Sequence, residues 1–173
     1  MKQIFNKLKT VALVMVASLL STYGFAQDQI SFNEMSLSII QSIAFTSGYD
    51  DMIELETSKK LDIKRYKNED RTEAMYFTIA EKEIKLLYSA DKKLIYARTD
   101  FDHYSNTVFE KLEENGFKRT DEPITMDNVF DASIWYYNKN KYPYEYVISS
   151  ESHSNTRDIY IFNKAFGNLK KFM

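Results

Sequence analysis

The chain has 173 residues, 44% hydrophobic and 28% charged, with a net charge of −2 and no cysteine. That makeup excludes a disordered or fibrous chain and fits one globular core. The acidic balance disfavours nucleic acid and anionic membranes as partners, and the missing thiols exclude disulfides, thiolate metal sites and a lipid-modified N-terminal cysteine.

The first 26 residues read as a secretory signal. "MKQIFNKLK" is basic, "TVALVMVASLL" is apolar and too short for a permanent span, and "STYGFAQ" offers Gly24 and Ala26 where a signal peptidase cuts. Cleavage before Gln27 removes Lys2, Lys7 and Lys9 and leaves a more acidic chain of residues 27–173. The expected product is a single α+β domain, periplasmic or extracellular, with no stable membrane insertion after cleavage.

In "SFNEMSLSIIQSIAF" the Ser31 to Glu34 spacing predicts a capping box, and Met35, Ile39, Ile40 and Ile43 recur at helical intervals. A second helix is expected from Tyr49 to Ser58, capped by Ser47 and Asp50, with Met52, Ile53 and Leu55 inward. From "KKLDIKRY" onward the period falls to two. "AMYFTIA" sets Met75, Phe77 and Ile79 on one face, "EIKLLYS" does so with Ile84, Leu86 and Tyr88, and "KLIYARTDF" follows, so the runs predict an antiparallel meander. A third helix is expected in "DHYSNTVFEKLEENG", with Tyr104, Val108, Phe109 and Leu112 as its apolar stripe and Gly116 as its stop.

The pattern then repeats. "ENGFKRTD" answers "KKLDIKRY", "ASIWYYN" answers "AMYFTIA", "YEYVISS" answers "EIKLLYS", and "TRDIYIFNK" answers "KKLIYARTD". The predicted fold is therefore an antiparallel sheet from two similar helix-plus-meander halves, about 47–101 and 102–164, with the helices packed on one face. The expected core comprises Ile39, Ile43, Met52, Leu55, Phe77, Ile79, Leu86, Leu94, Phe109, Leu112, Ile134, Ile148, Ile159 and Ile161.

The residues offer little recognisable chemistry. From Ser133 to Ser150 the chain carries Trp135 and five tyrosines. Strand alternation splits these between two faces, which suits packing inside a sheet, while Trp135, Tyr137 and Tyr142 are the candidate ligand-binding residues if the outer face stacks a sugar. His103 and His153 lack partners at metal-ligand spacing, so no metal and no cofactor are expected. Gly48, Gly116 and Gly167 stand alone and form no phosphate cradle. Asp50, Asp51 and Glu54 suit a helix start, and "ITMDNVFDAS", with Asp127, Asn128 and Asp131, reads as a connecting loop rather than a calcium loop. The basic stretches "KNK" and "NLKK" read as solvated edges.

"GFAQ", "ENGFK" and "YNKNKYPYEYVISS" resemble segments of the uncharacterised small exported proteins of Bacteroidetes type, a group that supplies no site residues. The tandem plan is similar in outline to beta-lactamase-inhibitor-like folds, without the paired cysteines of those inhibitors, and that resemblance implies protein binding across a concave sheet. The expected function is a non-catalytic binding or interaction protein of the envelope or secretome, acting through an exposed sheet face on a protein or glycan partner. A glycan-binding module is the alternative, and a carboxylate-based hydrolase, with two acids of raised pKa in one pocket, is the second.

Overall fold

A computed structural model of the chain describes residues 30–33, 35–102, 107–119, 124–125, 132–137, 143–149 and 155–167, with the backbone alone for 35, 124–125 and 132–137. Among these residues three α-helices, α1 (Met35–Thr46), α2 (Tyr49–Thr57) and α3 (Thr107–Glu114), accompany nine strands. The strands are β1 (Lys64–Lys67), β2 (Glu73–Ile79), β3 (Lys82–Tyr88), β4 (Leu94–Asp102), β5 (Lys118–Arg119), β6 (Ile124–Thr125), β7 (Ala132–Tyr137), β8 (Tyr144–Ser149) and β9 (Thr156–Asn163), followed by a 3-10 turn at Lys164–Phe166. All pairings are antiparallel, in the spatial order β1-β2-β3-β4-β9-β8-β7-β5, with β6 against β7. The class is α+β.

The turns explain the meander. β2 and β3 are joined by Ala80 and Glu81 alone, both at positive φ (51° and 68°), the backbone of a two-residue primed turn that matches strand twist. Arg71 and Lys92 take φ of 67° and 62° at the ends of the next larger turns, which are closed by backbone hydrogen bonds from Asn68 to the Thr72 carbonyl and from Arg71 to that of Asn68, and likewise from Ser89 to Lys93 and from Lys92 to Ser89. Between Leu87 and Tyr88 the register slips, and Ile95 is the extra residue of a β-bulge in β4.

One row of paired residues crosses eight strands: Arg65, Met75, Leu86, Ala97, Ile161, Tyr146, Tyr136 and Arg119. Its centre is the β4–β9 pair. α1 lies over β4 and β9, and the main core forms beneath it from Leu37, Ile40, Met52, Phe77, Ile84, Leu86, Phe101, Leu112, Ile148, Ile159 and Ile161. Of the expected core, Ile43, Leu55, Ile79 and Phe109 are half-buried against this cluster, and the side chain of Ile134 lies outside the description.

Two predicted helix starts need correction. Residues 30–33 are not helical, because Ile30 and Phe32 are buried in the core (2% and 7% exposed) and hold the lead-in away from the helix axis. Gln41 fixes that lead-in by taking the Ile30 N–H on Oε1 (3.2 Å) and donating Nε2 to the Ile30 carbonyl (2.8 Å). The same Oε1 accepts the Tyr146 hydroxyl (2.7 Å), so these buried polar groups are satisfied. α2 is capped one residue later than Ser47 and Asp50 suggest: the Asp51 carboxylate accepts the Gly48 N–H at 2.7 Å. The described part of α3 runs from Thr107, and Tyr104 of its predicted stripe lies outside the described residues.

Both later helices end alike. In α3 Gly116 (φ 81°) donates to the Glu113 carbonyl and Phe117 to that of Leu112 (2.9 and 3.0 Å), a Schellman cap in which Leu112 and Phe117 are both buried. In α2 Lys59 (φ 54°) donates to Glu56 and Lys60 to Leu55, at the same two distances.

Candidate functional site

The expected stacking residues are only partly visible. Trp135 pairs with Val147 across β7 and β8, and Tyr137 pairs with Lys118 of β5. Tyr142, His103, His153, Asp127, Asn128 and Asp131 lie outside the described residues. Two other regions of the fold gather functional groups.

The first is the sheet face turned away from the helices. Alternation sends Ala74, Tyr76, Lys85, Leu87, Tyr96, Tyr160 and Phe162 to this side, where Leu87, Ile95, Tyr96, Val147 and Phe162 form a second buried cluster. No α-helix of the described residues contributes to it. Above this base the rings interlock edge to face, Tyr66 with Tyr76 (5.6 Å, 81°) and Tyr96 with Tyr160 (5.5 Å, 73°). The Lys85 ammonium lies 5.6 and 5.5 Å from the Tyr76 and Tyr96 centroids. Burial draws its pKa down, but hydrogen bonding to the Tyr96 and Tyr76 hydroxyls outweighs this, so the amine is held charged. Arg98 grips Asp158 from the adjacent strand at 2.8 and 2.9 Å. Burial, with the Asp158 charge beside it, pushes the Tyr160 phenol up to about 12. Tyr66, on the edge strand, is 55% exposed.

These residues escaped the sequence reading, which followed the aromatic density of residues 133–150. A signal was present: Tyr76, Tyr96 and Tyr160 each alternate with core residues of their own strand. That they share a face depends on the β4–β9 pairing, which no local pattern reveals.

The second region is a charge cluster beside a cavity. Glu73 opens β2 on the helix side and is almost fully buried (1% exposed). Its carboxylate meets Lys92 (2.8 Å), the Tyr49 hydroxyl (2.9 Å) and Arg65 (3.5 Å). Burial raises its pKa, but the bonds to Lys92 and Tyr49 and the Lys92 and Arg65 charges prevail, and the net shift is downward. Lys92 also stands 4.1 Å from the Tyr49 ring centroid, placed there by its left-handed turn.

Next to this cluster an open cavity of about 370 Å³ lies between the C-terminal end of α1, the start of α2 and the β3–β4 turn. Phe45, Tyr49, Leu94 and Tyr144 supply apolar walls, and Lys92 and Lys93 supply charge. Among the described residues no Asp or Glu lines the cavity. Tyr88 also contributes to the wall; it is fully buried and its hydroxyl has no hydrogen-bond partner among the described residues. Burial, with the Asp51 charge nearby, pushes the Tyr88 phenol far up, so it remains a donor.

Among the described residues no group of three or more His, Cys, Asp or Glu gathers as a metal site, and no helix is long and apolar enough to cross a membrane. Comparison of the chain with known protein families, with characterised proteins and with solved structures finds no match.

Proposed function

We propose that the protein is an exported, non-catalytic interaction module that docks a protein partner on the sheet face opposite its helices. The observation that carries this reading is the tyrosine field over the second cluster, with Tyr66 exposed at its edge and Lys85 and Arg98 among the rings. Tyr and Arg are the residues enriched where protein partners bind, because they offer large apolar area with a polar tip at low entropic cost. A sugar needs open ring faces, whereas Tyr96 is 2% exposed and its ring packs edge-on against Tyr160, which favours a protein over a glycan. Export rests on the three-part N-terminal segment, and mature protein recovered outside the cytoplasm is expected to begin at Gln27.

A photo-crosslinking side chain placed at Tyr66, compared with one at Glu54 on exposed helix surface, tests the docking face in the producing cell. A discrete adduct from position 66 but not from position 54 is expected. Equal labelling from both, or none from position 66, refutes the reading.

We infer further that α2 with β1–β4 and α3 with β5, β7, β8 and β9 are two copies of one unit. Setting Ile95-Tyr96 against Ile159-Tyr160 makes Ala97 equivalent to Ile161, its own partner across the sheet. Carrying the equivalence outward through the registers relates Leu86 to Tyr146, Met75 to Tyr136 and finally Arg65 to Arg119. Lys64-Arg65 then falls on Lys118-Arg119, although those letters played no part in setting the register. The two Leu-Glu helix ends with matching Schellman caps support the same relation. Within the segments "AMYFTIA" and "ASIWYYN", whose likeness is one of pattern and not of letters, this register relates Met75 to Tyr136. A measured β4–β9 register one residue away from Ala97 opposite Ile161 would break it.

A further inference from the structure

We propose that the protein partner docked on the tyrosine face presents an acidic surface to it, one carboxylate seated on Lys85 beside the Tyr76 ring and a second meeting Lys64 on the edge strand. The proposal rests on the docking reading above and adds the chemistry that the face selects.

Read across the strands, one row of the outer face is Lys64, Tyr76, Lys85, Arg98 and Tyr160. Every member of the row keeps accessible surface. Lys64 is exposed and the other four are half-buried, in contrast to Leu87 and Tyr96 of the base, at 4% and 2%. A partner laid on the sheet therefore reaches this row first.

The acids of the same face are already engaged. Asp158 holds Arg98 at 2.8 Å, with Glu83 at 3.8 Å from the same guanidinium, and Asp100 takes Lys82 at 3.1 Å. Lys64 and Lys85 have no ion-pair partner among the described residues, so two positive charges stay unbalanced on a chain whose net charge is −2. Lys85 differs from a solvated surface lysine. Its ammonium lies 5.6 and 5.5 Å from the Tyr76 and Tyr96 centroids, and although burial opposes the charge, the Tyr96 and Tyr76 hydroxyls keep the amine protonated. It also stands directly opposite Arg98, a like-charge pairing that costs stability and that an incoming carboxylate relieves. A charge ringed by aromatic groups at the middle of a docking face is the setting in which one contact carries much of the binding energy.

The spacing selects protein acids among anions. Lys64 and Lys85 are two strands apart, about 10 Å, with Tyr76 between them. One small carboxylate does not bridge that gap, whereas a protein surface carrying two acids with apolar carbon between them does. Nucleic acid has the reach, but Glu83, Asp100 and Asp158 border the row and repel a continuous line of phosphates, while two discrete carboxylates clear them.

The test titrates short poly-L-glutamate, and oligo-dT of matched charge, into the 15N-labelled chain while the backbone amides of Tyr76, Lys85 and Arg98 are followed. Saturable shifts centred on these amides are expected with poly-L-glutamate, weakened by added salt, with several-fold weaker binding of oligo-dT. Lys85→Met keeps the aliphatic shaft among the rings and removes the charge, so it is expected to weaken poly-L-glutamate about tenfold, the scale of a hydrogen bond between charged groups. Lys64→Ala is expected to weaken it several-fold, and Lys60→Ala, on the exposed turn after α2, to leave it unchanged. In the producing cell, the adduct from a crosslinker at position 66 is expected to fall several-fold when Lys85→Met is added. The proposal is overturned by absence of saturable shifts, by oligo-dT binding as tightly as poly-L-glutamate, by unchanged affinity in either Lys85→Met or Lys64→Ala, or by an equal loss in Lys60→Ala. An adduct from position 66 that Lys85→Met leaves undiminished overturns it while the docking reading stands; no adduct from position 66 in either protein removes the docking reading and this proposal together.

Discussion

Tyr88→Phe is informative because it isolates one oxygen atom. In the fold that hydroxyl is buried without a partner among the described residues, whereas in the unfolded chain it is hydrated, so folding forfeits its hydrogen bonds to water. An unsatisfied buried group of this kind costs about 1–3 kcal/mol. The ring itself keeps its edge-to-face contact with Tyr49 at 5.2 Å in the variant, and only a small void replaces the oxygen. Subtracting that void leaves an expected stabilisation of roughly 1 kcal/mol. Urea unfolding at neutral pH, with both proteins giving the same m-value, reads it as a rise in the midpoint. Alkaline pH supplies a second readout. The folded-state pKa of Tyr88 is raised, so its neutral form contributes stability that is fully present below the unfolded value of about 10 and is lost as pH rises towards the folded value. The variant is expected to lose less stability than the parent in that window. A destabilisation beyond about 1 kcal/mol, the signature of a broken buried hydrogen bond, would refute the reasoning, since it requires a partner for the hydroxyl.

Glu73→Gln strips the charge from a nearly buried carboxylate; because Lys92 and Arg65 are 43% and 41% exposed and can rehydrate, the expected loss is only about 1–3 kcal/mol in urea unfolding. The pKa of Glu73 is lowered in the fold, so the parent's advantage is present above the unfolded value of about 4.3 and disappears as pH falls through the folded value, and the stability curves of the two proteins should converge there. Leu112→Ala empties a fully buried position on α3 and should cost about 2–5 kcal/mol; a loss under about 0.5 kcal/mol would contradict the packing of that helix. Ala80→Gly relieves a positive φ of 51° and should raise the thermal midpoint, with a gain of about 0.5–1 kcal/mol; a lower midpoint would contradict the primed turn.

Strand alternation was readable because burial on one face imposes it residue by residue. Met75, Phe77, Ile84, Leu86 and Tyr88 lie inward as their period requires, with Phe77 and Leu86 nearly inaccessible. The start of α1 was not readable in the same way. Ser31 and Glu34 have the letters of a cap, but the burial of Ile30 and Phe32 is a tertiary preference that overrides them. β6 was read as loop because two residues paired to β7 leave no period to detect. The candidate sites depend on contacts between distant segments. Glu73, Lys92 and Tyr49 look like ordinary surface residues until a turn at positive φ brings the lysine back onto the carboxylate. The tyrosine field required knowing that β4 borders β9, and nothing within either strand names its neighbour.

The seam between β4 and β9 also dictates when the molecule becomes whole. Arg98 reaches Asp158 across 60 positions of chain, and β9 comes last of the described strands in chain order. Until then the flank of β4, carrying Ile95, Tyr96 and Ala97, is an open template for any extended polypeptide nearby. Loop-closure entropy makes such a long-range junction slow to form, so β1–β4 must wait with that flank unguarded. A chain cut short before Thr156 would keep its hairpins yet lack the zip that joins them, and self-association through β4 is the physical outcome of that loss.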